Sequence, residues 1–149
     1  MSITIRQGNI FKSKCEALVN PVNTAGIMGK GLALEFKKEF PHNFHTYRNA
    51  CDTGIIGIGK LITETATSKN YGKKIIVNFP TKIHWSRDSK IEYIDEGLGA
   101  LKVLMQKSSI ESIAIPMLGC GNGGLNKSDV LYLIVDKLVG VKKKIEIYI

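Results

Sequence analysis

Apolar and polar positions along the chain predict strands that alternate with helices. Polar–apolar alternation predicts strands at residues 2–6, 60–65 and 144–149, and further strands are predicted at 74–79 and 112–117. The continuous apolar run at 15–19 fits a central strand that is buried on both faces. Helical spacing predicts helices near 30–40, 43–52, 89–107 and 127–139. This order indicates an α/β layered domain.

Several residues are expected to mark where these elements end. Pro41 should end the first helix, Pro80 should end the strand before it, and Ser89 should cap the long third helix. The buried stripe of that helix is predicted to be Ile91, Ile94, Leu98, Leu101, Leu104 and Met105. Alternating strands at both ends of the chain suggest that both are sheet edges, so the sheet is expected to be mixed.

Composition favours one ordinary globular domain. The chain has 149 residues, which is the size of one domain, and 44% of them are hydrophobic. Apolar runs fall short of the ~20 residues that a membrane span needs, so no membrane association is expected. The three cysteines have no CxxC spacing, which disfavours a disulfide framework or a zinc site and indicates a cytoplasmic protein.

The net charge of +8 changes this picture in one respect. It favours a polyanionic partner or substrate, because phosphates release counterions to Lys and Arg. A lysine-rich surface without any such partner is an equally good interpretation of the charge alone.

Two glycine-dense turns, at residues 26–31 and 119–124, each lie between a predicted strand and a predicted helix. A turn of this kind offers free backbone N–H groups to an anion. Two such cradles in one small domain predict a ligand with two linked phosphates. Plain tight turns are the alternative, and two of them make that interpretation the weaker one.

Two nucleotide-binding motifs fit these turns only in part. Gly119, Gly121 and Gly124 satisfy GxGxxG, but a Rossmann fold places that fingerprint first, and here only one predicted strand follows it. A Walker loop would need glycine at Thr24 and a Ser or Thr at Gly31. We therefore expect a phosphate-binding fold of another kind.

Polar residues near the ends of predicted strands are the candidates for chemistry. Asn20 and Asn23 are either turn-capping residues or amides that recognise hydroxyls. Lys82 stands out from the other lysines because it follows Pro80 at the end of a strand, where sites of α/β proteins gather. His84 is either structural or part of such a site, and Trp85 is either a core residue or a stacking platform for a base.

Three segments together resemble one family, the macrodomains. They are residues 17–37, 78–85 and 115–125, which occur in family order and, with their spacing, cover nearly the whole chain. The segment Asn-Phe-Pro-Thr-Lys at 78–82 is similar to the DarG antitoxin group, which removes ADP-ribose from DNA thymidine bases, and to a related human glycohydrolase. On this resemblance residues 1–149 are a single macrodomain.

The resemblance implies a three-layer α/β/α sandwich with a mixed central sheet. It places the diphosphate of ADP-ribose between the two glycine turns, with Asn23 and Lys82 as catalytic residues at the distal ribose. The other ligand contacts that it implies are Asn9, Ile10, Asn20, Gly26, Ile27, Met28, Gly29, Lys30, Gly31, Thr81, His84, Leu118, Gly119, Cys120, Gly121, Asn122, Gly123 and Gly124.

Two positions depart from the family pattern. Asn9 stands where many macrodomains carry an Asp that accepts from the adenine amino group, although an amide oxygen can still accept. Gly123 occupies the place of the catalytic Asp of the human enzyme. The second departure disfavours ester hydrolysis by the same pair of residues and favours a DarG-like activity.

The function that these observations predict is hydrolysis of ADP-ribose from ADP-ribosylated DNA, without a cofactor or a metal. Expected partners are ADP-ribose, ADP-ribosylated DNA and a DarT-like toxin, and the protein is expected to be a monomer. A non-catalytic ADP-ribose reader and a hydrolase of ADP-ribose esters on protein Glu or Asp remain as alternatives.

Overall fold

The computed structural model describes residues 2–149 and contains six strands and four α-helices in that range. In chain order they are β1 (Ile3–Arg6), β2 (Ala17–Asn23), α1 (Gly31–Glu39), α2 (Pro41–Thr53), β3 (Ile62–Ser68), β4 (Gly72–Lys82), α3 (Ile91–Lys107), β5 (Ser112–Pro116), α4 (Lys127–Leu138) and β6 (Lys144–Tyr148). A short 3-10 helix, Ile10–Lys12, precedes β2. Among the described residues, no helix has the length and apolar character that crossing a bilayer requires.

The six strands form one mixed sheet in the order β1-β6-β5-β2-β4-β3. Neighbouring strands are parallel except for β3, which pairs with β4 antiparallel. Successive residues of one strand pack into different cores: Val19 joins α3 and α4, whereas Leu18 joins α1 and the 3-10 helix. Helices therefore cover both faces, and the predicted three-layer α/β/α sandwich with a mixed sheet is confirmed.

The expectation that both chain ends are sheet edges is right for β1 and wrong for β6. Strand β6 lies between β1 and β5, and the second edge is β3. The alternating pattern of β6 arises because Glu146 is buried among apolar neighbours. The Glu146 carboxylate accepts hydrogen bonds from Arg6 Nε and Ser13 Oγ, which compensate its burial.

Strands β2 and β4 continue past the points where the sequence pattern ends them. Strand β4 passes through Pro80, which was expected to end it, and β2 passes through Pro21. Proline is tolerated because each strand has lost one neighbour there: β3 pairs with β4 only as far as Asn78, and β5 pairs with β2 only as far as Leu18. Both strands therefore project beyond their neighbours at the carboxyl edge of the sheet.

The start of α3 differs from its prediction. The helix begins at Ile91, its N-cap is Lys90 without a side-chain cap, and the buried Ser89 Oγ has no hydrogen-bond partner among the described residues. Ile91 is exposed rather than buried, because it lies in the first turn beside solvent. Buried positions of the stripe are Ile94, Leu98, Leu101 and Met105, and Leu104 is half-buried.

Candidate functional site

Asn23 and Lys82 are the last residues of the two projecting strands, and they are partners in the β2–β4 register. A register shift between Val22 and Asn23 allows this pairing at the strand ends. Three loops leave the sheet around them. We call residues 24–30 the first glycine loop, residues 117–126 the second glycine loop and residues 83–90 the rim loop.

The three loops contact one another in a closed series. Thr24 links the first glycine loop to the rim loop, because its backbone N–H and its Oγ1 both donate to the Ile83 carbonyl, at 3.2 and 2.8 Å. Ser89 N–H donates to the Gly123 carbonyl at 2.9 Å and so links the rim loop to the second glycine loop. A Cβ on Gly31 would lie 2.8 Å from Asn122 Nδ2, so the start of α1 also touches the second glycine loop. These contacts hold the three loops together at the carboxyl edge of the sheet, and we call the space between them the cleft.

Lys82 is held at the point where the loops meet. Its side chain is buried, and Nζ donates to the carbonyls of Trp85 and Asn122 at 3.1 and 3.3 Å. Burial lowers the pKa of Lys82, the positive charge of Lys30 lowers it further, and the carboxylate of Asp88 opposes both. Two of the three ammonium protons are used in these bonds, so one N–H remains for a ligand.

Asn23 shapes the first glycine loop with its side chain. Its Oδ1 accepts from the Ala25 N–H at 3.0 Å and from the Tyr47 hydroxyl at 2.9 Å, and its Nδ2 donates to the Ile27 carbonyl at 2.8 Å. Tyr47 also donates to the Asn23 carbonyl. One Nδ2 proton remains free for a ligand hydroxyl, and the other contacts of this buried side chain hold the first glycine loop in place.

The glycines of the second glycine loop have different surroundings. A Cβ on Gly123 would lie 2.4 Å from the Gly119 carbonyl oxygen, and a Cβ on Gly119 would lie 2.8 Å from Leu125 Cδ1, with φ of +74°. A Cβ on Gly121 would meet no atom within 4 Å. Gly119 and Gly123 are thus required by the loop itself, and this conformation has no room at 123 for the Asp of the human enzyme. Gly121 alone of these three faces open space.

Asn20 is placed in the interior rather than at the cleft surface. Its side chain is fully buried, and Nδ2 donates to Asn78 Oδ1 at 3.2 Å and lies 4.0 Å from Met28 Sδ. Asn78 also exchanges hydrogen bonds with Asn43 of α2. The Asn20 Oδ1 atom is buried and has no hydrogen-bond partner among the described residues. The Asn20 side chain is thus held in the interior by Asn78, and its contact with a ligand stays a prediction.

The other residues that were expected to contact the ligand fall into a buried group and an exposed group. The side chains of Ile10, Met28, Thr81 and Leu118 are buried, so only their backbone groups can reach a ligand. Exposed residues of this set that lie on the three loops are Ile27, Gly29, Lys30, His84, Gly121, Asn122 and Gly124, while Gly31 is exposed at the start of α1. Gly26 is buried in the first glycine loop, and Cys120 is half-buried, with Sγ donating to the Leu118 carbonyl.

Asn9 follows β1 and is the N-cap of the 3-10 helix. Its Oδ1 accepts from the Phe11 N–H at 2.9 Å, and its Nδ2 donates to the Tyr71 hydroxyl at 3.3 Å. The amide oxygen that was expected to accept from adenine therefore already caps the 3-10 helix and keeps one lone pair free.

The sequence pattern did not indicate the contacts of Tyr47 and Asp88, or the hydrogen bond from the Ser89 N–H to the second glycine loop. Tyr47 lies on the buried face of α2, where an aromatic residue is typical of a core, and no local pattern links it to Asn23. Asp88 is exposed on the rim loop, and its contact with the second glycine loop appears only in the folded chain, 3.7 Å from the Cβ position of Gly124.

Comparison with known proteins identifies similar sequences. The profile of the Macro domain family matches residues 19–134. A Mycobacterium tuberculosis protein named DNA ADP-ribosyl glycohydrolase is 47% identical over 128 residues, which are 86% of this chain and 36% of that protein. The chain thus spans about one third of the length of this relative.

Solved structures give the same picture. The macrodomain of Mycobacterium tuberculosis DarG is 42% identical, with a TM-score of 0.92, and the match covers 98% of this chain and 96% of that one. Thermosipho africanus DarTG in complex with ADP-ribose is 32% identical, with a TM-score of 0.91 over 99% of this chain and 41% of that one.

Proposed function

Because the chain belongs to the macrodomain family, we propose that it hydrolyses the bond between ADP-ribose and a thymidine base of DNA. The observation that carries this proposal is Lys82, a buried lysine that is held between the rim loop and the second glycine loop. The Mycobacterium tuberculosis relative is a DNA ADP-ribosyl glycohydrolase by name, which supports the same substrate.

The two glycine loops would bind the diphosphate of ADP-ribose. Backbone N–H groups at glycine-rich turns before helix N-termini favour anions, and α1 begins at Gly31 directly after the first glycine loop. Lys30, exposed at the N-cap of α1, adds a positive charge there. ADP-ribose binding by this cleft is also supported by the complex of the Thermosipho africanus relative.

Lys82 would carry the chemical step. A lysine attacks carbon only as the neutral amine, and the burial that lowers the pKa of Lys82 raises the neutral fraction. In the proposed step, neutral Nζ forms a bond to the anomeric carbon of the closed distal ribose, and the bond from that carbon to the thymine base breaks. One Nζ proton passes to the departing base, which leaves a glycosylamine on Lys82. The ring opens to an imine as the second Nζ proton passes to the ring oxygen, and water then hydrolyses the imine, which releases ADP-ribose and restores the amine.

Gly123 supports a mechanism in which Lys82 acts without a catalytic carboxylate from the second glycine loop. A carboxylate at position 123 has no room beside the Gly119 carbonyl and Ser89 Oγ. The carboxylate that raises the pKa of Lys82 belongs to Asp88, which lies on the rim loop. We therefore favour DNA over protein esters as the substrate.

We propose further that the protein acts as a cytoplasmic monomer, needs no cofactor or metal, and opposes a DarT-like toxin. The toxin is favoured by a Thermosipho africanus relative, 33% identical, that is named a fusion of a DNA ADP-ribosyl transferase and a DNA ADP-ribosyl glycohydrolase.

A turnover assay on two substrates separates the candidate functions. One substrate is a single-stranded oligonucleotide with one ADP-ribosylated thymidine, the other a peptide with ADP-ribosylated glutamate, and released ADP-ribose is measured. We expect release from the oligonucleotide at a rate at least tenfold above that from the peptide. Faster release from the peptide would favour the ester hydrolase, and binding of both without release would favour the reader.

A further inference from the structure

A groove of about 740 Å³ lies beside Lys82, between the rim loop and the first turn of α3. Its walls include Ile83, His84, Arg87, Lys90 and Tyr93. The ADP-ribose cleft, as described above, lies between the two glycine loops and the rim loop. The groove and the cleft therefore share the rim loop and are otherwise formed by different residues.

Large side chains are exposed at this groove and directly beside it. Ile83, in the groove wall, is 54% exposed, and Trp85, which lies outside the lining but next to the wall residue His84, is 47% exposed. Within residues 2–149, neither Arg87 nor Lys90 forms an ion pair or a side-chain hydrogen bond. The Lys90 ammonium instead lies 5.9 Å from the centre of the Tyr93 ring.

This combination of aromatic and cationic groups matches the chemistry of a single nucleic-acid strand. Bases of a single strand stack on exposed aromatic rings, and the phosphates between them bind Lys and Arg. The centroids of the Trp85 and His84 rings lie 5.1 Å apart, with the ring planes inclined by 34°, so two aromatic groups are adjacent on the rim loop. Of the charged groups at the groove, Arg87 and Lys90 outweigh Asp88, so the charge is complementary to a phosphate backbone.

The Trp85 backbone places this surface next to the reaction. The Trp85 carbonyl accepts a hydrogen bond from Lys82 Nζ, so the indole belongs to a residue that directly contacts the proposed catalytic amine. A nucleotide next to the modified thymidine would arrive at the same place. A duplex would offer no unstacked base there, so a single strand fits better.

We propose that the rim loop and the first turn of α3 form a binding groove for the DNA strand that flanks the modified thymidine. Trp85 stacks on a neighbouring base, and Arg87 and Lys90 contact the phosphates. This proposal rests on the proposed function, because it takes ADP-ribosylated DNA as the substrate.

Kinetics on two substrates of different length test the groove. The substrates are an ADP-ribosylated oligonucleotide and ADP-ribosylated thymidine alone, and kcat/KM is measured for each. We expect Trp85→Ala to lower kcat/KM on the oligonucleotide by roughly 5- to 150-fold, the effect of one lost base stack, and to leave the nucleoside within about twofold. Trp85→Phe should recover most of the loss. Tyr132→Ala, which removes an aromatic residue that is 76% exposed on α4, is the matched control and should change neither value.

Two results would overturn the groove. An equal loss on both substrates would mean that Trp85 only positions Lys82 through its backbone, and no loss on either would mean that the base stacks elsewhere.

For the cations, Arg87→Ala and Lys90→Ala should each reduce the salt dependence of oligonucleotide kcat/KM by about one unit of slope. The exposed Lys142, changed to Ala, should leave the slope as it is.

Fluorescence keeps the groove testable even if the hydrolase assignment fails. Trp85 is the single tryptophan of the chain, so its emission reports directly on this surface. At low salt and with saturating ADP-ribose, an unmodified dT oligonucleotide should quench the emission. Absence of quenching, or its loss when ADP-ribose is added, would contradict a separate strand groove. Quenching without any hydrolysis would instead sink only the proposed reaction.

Discussion

Lys82 Nζ lies 3.3 Å from the carbonyl oxygen of Asn122, a residue forty positions later in the chain. This hydrogen bond ties the end of β4 to the second glycine loop, and the bond to Trp85 ties it to the rim loop. A ligand that moves either loop therefore also moves an acceptor of the amine. If the proposed function is correct, a diphosphate bound at the second glycine loop would therefore change the contacts of the amine that is proposed to react.

The pH dependence of turnover should report the protonation of Lys82. Because burial and Lys30 lower its pKa below 10.5, kcat/KM should rise with pH and level off below that value. Asp88 raises this pKa, so Asp88→Asn should move the rising limb to lower pH. Asp136→Asn on the exposed face of α4 is the control. A profile that does not rise with pH would mean that Lys82 acts as a fixed charge.

Substitutions of two glycines should separate ligand binding from folding. Gly121→Leu should weaken ADP-ribose binding at nearly unchanged Tm, because its Cβ enters the open space beside the loop. Gly119→Leu should cost ~2 kcal/mol or more of folding free energy, because φ is +74° and Leu125 is in the way. Thermal unfolding and ADP-ribose titration of both variants measure this. Normal binding by Gly121→Leu would show that the second glycine loop does not hold the diphosphate.

Free ADP-ribose should raise the Tm more than AMP does at the same concentration. A ligand that binds only the folded state stabilises it by RT ln(1 + [L]/Kd), and AMP lacks the second phosphate and the distal ribose. The measurement is a thermal shift at millimolar ligand, with ATP as a charge control. Equal shifts for AMP and ADP-ribose would contradict a cleft that spans both glycine loops.

Local pattern was sufficient for most elements, and the motif at 78–82 pointed directly to Lys82. It could not show where strands end, because Pro21 and Pro80 are tolerated only where β5 and β3 no longer pair with β2 and β4. It also could not place Glu146, whose partner Arg6 is 140 residues away. An alternating strand with a buried, paired carboxylate looks like an edge strand until its partners are known.

The surroundings of the candidate site residues also depend on contacts that the sequence pattern does not show. Asn20 and Asn78 face each other because of the β2–β4 register, and this contact holds the Asn20 side chain in the interior. The roles of Tyr47 and Ser89 likewise depend on contacts between distant segments. Residue type, spacing and the family resemblance named the candidate residues, whereas the tertiary contacts determine which of their side chains are exposed and which are held by other groups.

Stability at acid pH should depend on Glu146. Burial raises the pKa of this carboxyl, but hydrogen bonds from Ser13 and Arg6 outweigh burial and hold it at about 2, below the ordinary 4.5. A depressed pKa gives stability that is complete above the unfolded value and is lost as the pH falls from about 5 towards 2, on the order of 3 kcal/mol in total. Denaturant unfolding across this range should show the loss, and Glu146→Gln should flatten it. An unchanged slope in Glu146→Gln would assign the acid sensitivity to other carboxyls.

Lys82 provides the most direct test of the account, through turnover and binding measured on the same variants. We expect Lys82→Ala to reduce release of ADP-ribose from the modified oligonucleotide by at least 10³-fold, since the covalent path is gone. Its affinity for free ADP-ribose should stay within a few-fold, because the glycine loops remain. Lys82→Arg should be inactive as well, because it keeps the charge but forms no imine. Turnover near the wild-type rate in Lys82→Ala would contradict the central claim, and activity in Lys82→Arg alone would reduce Lys82 to an electrostatic role.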